Sequence, residues 1–99
     1  MKLKPNVRIV DLKPQCVLAI LVANDVYNKF GRELVVTSID DSVHGPASLH
    51  PSGFAFDLRT SYFRVDQIDP VEAALKEALT DDFDILYEGD HFHIEYDPK

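Results

Sequence analysis

Strict alternation of apolar and polar residues in two stretches of the second half constrains this chain more than any other feature. In the first stretch, residues 53–59, Phe54, Phe56 and Leu58 fall on one side of a predicted strand. The other side carries two small residues, an acid and a base, namely Gly53, Ala55, Asp57 and Arg59. A strand of this kind buries its aromatic side and leaves room beside Asp57 for an ion or a substrate.

The second alternating stretch predicts a β-hairpin near the C-terminus. Residues 83–88 and 91–96 form its two arms, and Gly89-Asp90 supplies the turn. The apolar positions share one face of the hairpin, and they are Phe83, Ile85, Tyr87, Phe92, Ile94 and Tyr96. The alternation therefore sends His91, His93 and Glu95 to the opposite face.

The first of two helices is predicted at residues 14–30. Pro14 suits its first turn, because a helix leaves that N–H without a partner in any case, and Gly31 is a typical C-terminal stop. Apolar residues cover a wide surface between them, so this helix is expected to lie against the core. Cys16 is the only cysteine, and it is interpreted as a small buried side chain rather than a reactive thiol.

The second helix is predicted to follow a connection at residues 60–68. Asp69 has the properties of an N-cap, Pro70 fits the first turn, and Glu72 stands where a capping box needs an acid. A single apolar stripe follows at helical spacing. The pattern predicts that this helix ends near Thr80.

The remaining segments complete the predicted fold. Residues 34–39 are β-branched and predict a strand, and residues 40–51 form a long polar loop. Residues 1–12 predict an extended arm or edge strand with a β-like run at residues 7–10. The order helix, two strands, helix, hairpin predicts one α+β domain over residues 1–99, in which two helices flank a mainly antiparallel sheet.

Charge and composition exclude several classes of function. The chain has 99 residues and a formal net charge of −7, which disfavours binding to nucleic acid or to an anionic membrane. The cations of the N-terminal arm, including Lys4, are interpreted as a solvated face. The sequence has no run long enough to span a bilayer and no secretory signal, so synthesis in the cytoplasm is expected.

A candidate metal site follows from the two alternating stretches. Asp57 and His93 project from the polar sides of two predicted strands, and the side chains meet if those strands lie in one sheet. His50, in the preceding loop, can fold over them. Two imidazoles and one carboxylate are a common zinc ligand set that leaves one position for water. The same set can hold iron, so the identity of the metal stays open.

The motif S-x-H-x-x-G-x-A-x-D at residues 48–57, followed by D-H-F-H at residues 90–93, resembles a known family. Its members are the zinc D-alanyl-D-alanine carboxypeptidases and L-alanyl-D-glutamate endopeptidases, which are grouped with murein endopeptidases and the hedgehog signalling domain. The chain is similar to a short phage or prophage version of that domain over roughly residues 14–97. The resemblance implies a hedgehog/DD-peptidase-like fold and zinc-dependent hydrolysis of an amide bond in bacterial peptidoglycan.

The resemblance also implies roles for individual residues. The zinc ligands of the family fall on His50, Asp57 and His93, and its catalytic acidic residue falls on Asp90. As general base, Asp90 would take a proton from a metal-activated water and pass it to the leaving amine. His91 would act as a base or stabilise the negative charge of the tetrahedral intermediate.

Substrate contacts are where this chain departs from the family pattern. Many relatives carry a Gly-Tyr-Arg-like segment whose Arg helps to hold substrate, and this chain has Ile39-Asp40-Asp41 there instead. Arg59 is the candidate replacement for contacting a carboxylate of the stem peptide. His44 and Ser48 are further candidates, with Ser48 acting as a donor to the ligands or as a cap of the loop.

Two functions of different classes are consistent with these residues. The first is a metallopeptidase that cuts a stem peptide, either at D-Ala-D-Ala or at L-Ala-D-Glu. The second is a zinc-binding structural or binding domain of the same fold without turnover, such as a virion component. A monomer is expected, with peptidoglycan as the partner, no nucleic acid and no membrane. A protein without a signal would reach the cell wall by phage-assisted release.

Overall fold

The fold is given by a computed structural model that describes residues 1–5, 7, 12–39 and 55–97. These residues form two helices and five strands, in the order β1 (Lys2–Leu3), α1 (Pro14–Lys29), β2 (Val35–Ile39), β3 (Ala55–Arg59), α2 (Val65–Leu79), β4 (Phe83–Tyr87) and β5 (His91–Tyr96). From α1 onward the order is helix, two strands, helix, hairpin. The predicted α+β class is confirmed.

The five strands form one mixed sheet in the order β1-β2-β3-β5-β4. β1 is parallel to β2, whereas the other neighbouring pairs are antiparallel. The prediction of a mainly antiparallel sheet is therefore wrong, and the N-terminal arm accounts for the difference. The strand of this arm lies upstream of the predicted run at residues 7–10. It is held by hydrogen bonds from the N–H groups of Lys2 and Lys4 to the carbonyl groups of Leu34 and Val36. Residues 8–10 of the predicted run lie outside the described residues.

Helix α1 follows its prediction closely. It begins at Pro14 and ends at Lys29, with Phe30 as its C-cap, and Gly31 then takes a positive φ of 77°, which glycine adopts without strain. Cys16 is fully buried, and burial raises the pKa of its thiol to about 11. The thiol is thus a packing group, as predicted. Neither helix of the described ranges has the length and apolar content that a membrane span requires.

Helix α2 begins at Val65, one turn earlier than the predicted start at Asp69. Its first turn is held by Gln67, whose side-chain oxygen accepts a hydrogen bond of 3.0 Å from the Arg64 N–H. Pro70 therefore lies inside the helix, where it leaves one carbonyl without its usual N–H partner. The Asp-Pro pair looks like a helix start in sequence, but the upstream cap extends the helix into the predicted connection.

The core lies between the helices and one face of the sheet. On that face, Phe56 and Leu58 of β3 and Phe92 and Ile94 of β5 are all at most 1% exposed. The opposite face carries a partly exposed group, which we name the polar face: Asp57, Arg59, His91, His93 and Glu95. The predicted alternation of both strands is therefore confirmed for their described residues.

Strand β2 contains one extra residue. Val36 pairs with Leu58, but Ser38 rather than Thr37 pairs with Asp57, so Thr37 is a β-bulge. The bulge shifts the phase of the strand by one residue. On a regular strand, residues three positions apart point to opposite faces. Because of the bulge, Ile39 instead packs against the same core as Val36.

Candidate metal centre and its neighbouring cavity

The register between β3 and β5 brings the predicted site residues together. Asp57 lies directly opposite His93, and Arg59 lies directly opposite His91. Both pairs have their side chains on the polar face. Asp57 and His93, 36 positions apart in the chain, are thus neighbours in the centre of the sheet, because β3 is paired on one side with β2 and on the other with β5.

Asp57 and His93 contact each other through the atoms that would bind a metal. Asp57 Oδ1 lies 2.8 Å from His93 Nδ1, and both side chains are roughly three-quarters buried. Two ligands of one tetrahedral zinc ion lie about 3.3 Å apart when each is about 2.0–2.1 Å from the metal. The pair would therefore have to open by only about half an ångström to hold zinc. Its donor atoms and spacing fit such an ion.

His93 has a second carboxylate neighbour on its other ring nitrogen. Glu95 Oε1 lies 3.4 Å from His93 Nε2. Burial alone would lower the pKa of His93, but the hydrogen bonds with Asp57 and Glu95 outweigh it, so that the pKa is raised. The alternation of β5 predicts Glu95 on the face of the two histidines, but no motif in the sequence indicates a site role for it.

Asp90 and His91 form the second pair of the site. His91 Nδ1 lies 2.5 Å from Asp90 Oδ1, and this hydrogen bond lowers the pKa of Asp90. Asp90 lies in the two-residue turn of the hairpin after Gly89, which has a φ of 91°. Its carbonyl accepts a hydrogen bond of 3.1 Å from the N–H of Thr60, so the turn is tied to the end of β3.

The other nitrogen of His91 faces Asp57, one of the two predicted ligands in the described part of the chain. His91 Nε2 lies 3.7 Å from Asp57 Oδ2 and 3.1 Å from Glu88 Oε1. Burial alone would lower the pKa of His91, but the contacts with Asp90, Asp57 and Glu88 raise it overall. The side chains thus connect Asp90, through His91, to Asp57. Glu88 was not expected at the site, because its position at the end of a strand carries no distinguishing pattern.

A cavity of about 330 Å³ adjoins His91 at one end of the polar face. Its lining comprises Lys4, Thr37, Arg59, Ser61, Asp90 and His91. Arg59, the predicted substrate contact, therefore lies beside the predicted catalytic pair. Lys4 was interpreted as part of a solvated face, and only its pairing through β1 next to Val36 brings it to the cavity.

Three predicted site residues, His44, Ser48 and His50, lie outside the described residues. Within residues 1–5, 7, 12–39 and 55–97, no group of three or more His, Cys, Asp or Glu side chains is arranged to hold a metal ion. The described part contains two of the three predicted ligands, Asp57 and His93, in contact with each other. The contribution of His50 stays a prediction.

The raised pKa values predict how the metal-free protein responds to pH. A histidine whose pKa is higher in the folded than in the unfolded chain stabilises the fold below the unfolded value, about 6.5, and loses this effect as pH rises through the folded value. We expect urea midpoints of the metal-free protein to fall as pH rises above about 6.5, because His91 and His93, whose pKa values are raised, then lose their protons. A His91→Gln, His93→Gln double variant should have a flatter profile, and an equally steep one would contradict this origin.

Comparisons with protein-family models, with curated proteins and with solved structures find no match for this chain.

Proposed function

We propose that this chain is a zinc metallopeptidase that hydrolyses an amide bond in the stem peptides of bacterial peptidoglycan. It would belong with the D-alanyl-D-alanine carboxypeptidases and L-alanyl-D-glutamate endopeptidases and share the hedgehog/DD-peptidase-like fold. The observation that carries the proposal is the register of β3 and β5. It sets Asp57 against His93 and brings the Asp90–His91 pair within 3.7 Å of the same carboxylate.

In this proposal Asp57 and His93, with His50, hold the zinc ion. Bound zinc would polarise the substrate carbonyl and lower the pKa of water. The donor set suits it, since one carboxylate and two neutral imidazoles leave the ion a net positive charge. Glu95 lies 3.4 Å from His93 Nε2 and would orient the imidazole from behind.

Asp90 and His91 would move the protons. Asp90 is an exposed carboxylate and is ionised at neutral pH, so it is able to accept a proton. Its side chain is 80% exposed, which leaves its second oxygen accessible to water and substrate. His91, with a raised pKa, would present positive charge toward the oxygen that becomes negative in the tetrahedral intermediate.

The test combines elemental analysis with mass spectrometry of digested peptidoglycan. We expect the purified chain to contain zinc and to release D-alanine or to separate L-alanine from D-glutamate in purified cell walls. A chelator should abolish the release, and added zinc should restore it. Iron in place of zinc would correct the identity of the metal without removing the site.

The competing function is a zinc-binding domain of the same fold without turnover. Its favouring observation is the segment Ile39-Asp40-Asp41, which lacks the substrate-binding arginine of many relatives. If the zinc-loaded chain leaves purified peptidoglycan unchanged, as judged by mass spectrometry, the structural or binding role is the better account.

A further inference from the structure

Three exposed apolar side chains lie next to one another on the outer surface of α1, and we name them the outer patch: Leu18, Leu21 and Val22. Leu21 and Val22 follow Leu18 by three and four residues, so all three lie on one side of the helix. The opposite side of α1 sends Ile20 and Ala23 into the core. A single exposed leucine is ordinary on a protein surface, whereas a contiguous group indicates a contact surface.

A groove between α1 and α2 begins where the outer patch ends. Its volume is about 430 Å³. The apolar part of its wall is formed by Val22, Val26 and Phe30 of α1 and by Ala74 and Ala78 of α2. Val22 therefore belongs both to the exposed patch and to the wall of this helix groove.

One row of residues connects the outer patch with the helix groove. Its members, each four positions after the last, are Leu18, Val22, Val26 and Phe30. This interval is the spacing of a ridge on a helix surface. The exposed fraction falls along the row from 63% at Leu18 to 37% at Val22 and 5% at Val26. The row therefore protrudes in its first half and is recessed in its second half, with Val22 between the two.

A second copy of the chain complements such a row. A two-fold axis beside Val22 relates two antiparallel α1 helices, so that residues at equal distances from Val22 lie level with each other. Leu18 precedes Val22 by four residues and Val26 follows it by four, which is about 6 Å along the helix in each direction. Each copy thus places its protruding Leu18 opposite the recessed Val26 of the other. Rows with this interval interlock in the commonest class of helix packing.

The charges around the row also suit a second copy. Although the net charge of the chain is −7, the acid and the base on this side of α1, Asp25 and Lys29, pair with each other at 3.2 Å. Glu77 lies on the rim of the helix groove. In the two-fold arrangement it lies near the first turn of the other α1, which carries no acid and whose N–H groups give it a partial positive charge. The contact thus carries little of the negative charge of the chain.

We propose that this chain forms a two-fold symmetric dimer through the outer surface of α1, with Leu18 of each copy in the helix groove of the other. The dimer takes the place of the monomer expected from the sequence, and it does not depend on the proposed peptidase function. The helices cover the face of the sheet that contains Phe56 and Phe92. The polar face of each copy, with Asp57 and His93, is therefore left open by the dimer.

Sedimentation equilibrium of the full chain tests the dimer directly. We expect a monomer–dimer equilibrium with a dissociation constant in the micromolar range, because a contact centred on one helix of each copy is smaller than a typical permanent interface. Leu18→Lys should weaken the dimer by at least about 100-fold, since the symmetry removes two leucines from the contact and adds two charges. Leu18 is largely exposed in the single chain, so the variant should keep the far-UV circular dichroism and the urea midpoint of the wild type.

Val65→Lys is the matched control. Val65 is 93% exposed and lies outside the residues that line the helix groove. Its replacement adds the same charge, yet the dissociation constant should stay within about twofold of the wild-type value. The proposal is overturned if the wild type is monomeric at millimolar concentration or assembles beyond a dimer. It is equally overturned if Leu18→Lys and Val65→Lys dimerise alike, because the contact would then use another surface.

A disulfide across the two-fold axis tests the geometry. Helices packed about 8–10 Å apart leave about 4–6 Å between facing Cα atoms, a separation that a disulfide spans. In Val22→Cys, the two thiols of a dimer should form an intermolecular disulfide and pass two electrons and two protons to oxidised glutathione. Val65→Cys should instead end as a mixed disulfide with glutathione, and the native Cys16 is fully buried and does not compete. If Val65→Cys cross-links as fast as Val22→Cys, the antiparallel arrangement about Val22 is refuted.

Discussion

Replacing His93 with alanine is expected to remove both the bound zinc and peptidoglycan hydrolysis. His93 Nδ1 lies 2.8 Å from Asp57 Oδ1 at the centre of the sheet, and its loss leaves Asp57 and the predicted ligand His50 to hold the ion. Loss of a residue that only supports a ligand costs about 10–100-fold in metal affinity. Loss of a ligand should exceed this, so we expect zinc affinity, measured by competition with a chromogenic chelator, to fall by at least about 100-fold.

His91→Ala provides the control for this experiment. His91 lies two residues away on the same strand and the same face, and its Nε2 is 3.7 Å from Asp57 Oδ2. If it is a neighbour of the metal and not a ligand, His91→Ala should bind zinc nearly as the wild type does, with reduced turnover. A His93→Ala protein that retains zinc with unchanged affinity would refute the ligand assignment.

Replacing Asp90 with asparagine, unlike replacing His93, is expected to slow hydrolysis without removing the bound zinc. The amide has nearly the same shape as the carboxylate and still accepts a hydrogen bond from His91, but it cannot accept a proton. We expect zinc content to be unchanged and kcat for peptidoglycan cleavage to fall by about 10²–10⁴-fold, the usual contribution of a general base. Mass spectrometry of timed digests would supply the rates.

Asp25→Asn is the control for Asp90→Asn. It makes the same change of charge on α1, which packs against the other face of the sheet. Asp25 forms an exposed pair with Lys29 at 3.2 Å, and such pairs contribute little to stability. Its variant should cleave as the wild type does. If Asp90→Asn also cleaves peptidoglycan at the wild-type rate, Asp90 is not the base.

Local pattern was enough to predict most of the central sheet. The alternation of β3 and β5 fixed which side chains are buried, and the turn at Gly89-Asp90 fixed the hairpin register. Together these patterns predict that Asp57 and His93 lie on one face of the sheet. Prediction worked here because the period of a strand determines the face of every residue once one residue is assigned.

The features that could not be predicted depend on contacts between distant segments. β1 has only two residues, which is too few for an alternation, and its parallel pairing with β2 joins parts of the chain about 33 residues apart. The presence of Lys4 at the cavity follows from that pairing alone. The start of α2 was misplaced for a different reason: Asp69-Pro70 satisfies the rules for a first turn, yet the Gln67 cap lies upstream.

The positions of β3 and β5 inside the sheet separate the part of the proposed enzyme that holds the metal from the part that transfers protons. Each of these strands has a bonded neighbour on both sides, so the backbone beneath Asp57 and His93 resists displacement. Asp90 instead stands on a two-residue turn at the rim, anchored to the rest of the molecule through the Thr60 N–H. Substitutions in that turn would therefore change turnover and leave the metal affinity unaltered. Protein engineering could adjust turnover independently of metal affinity.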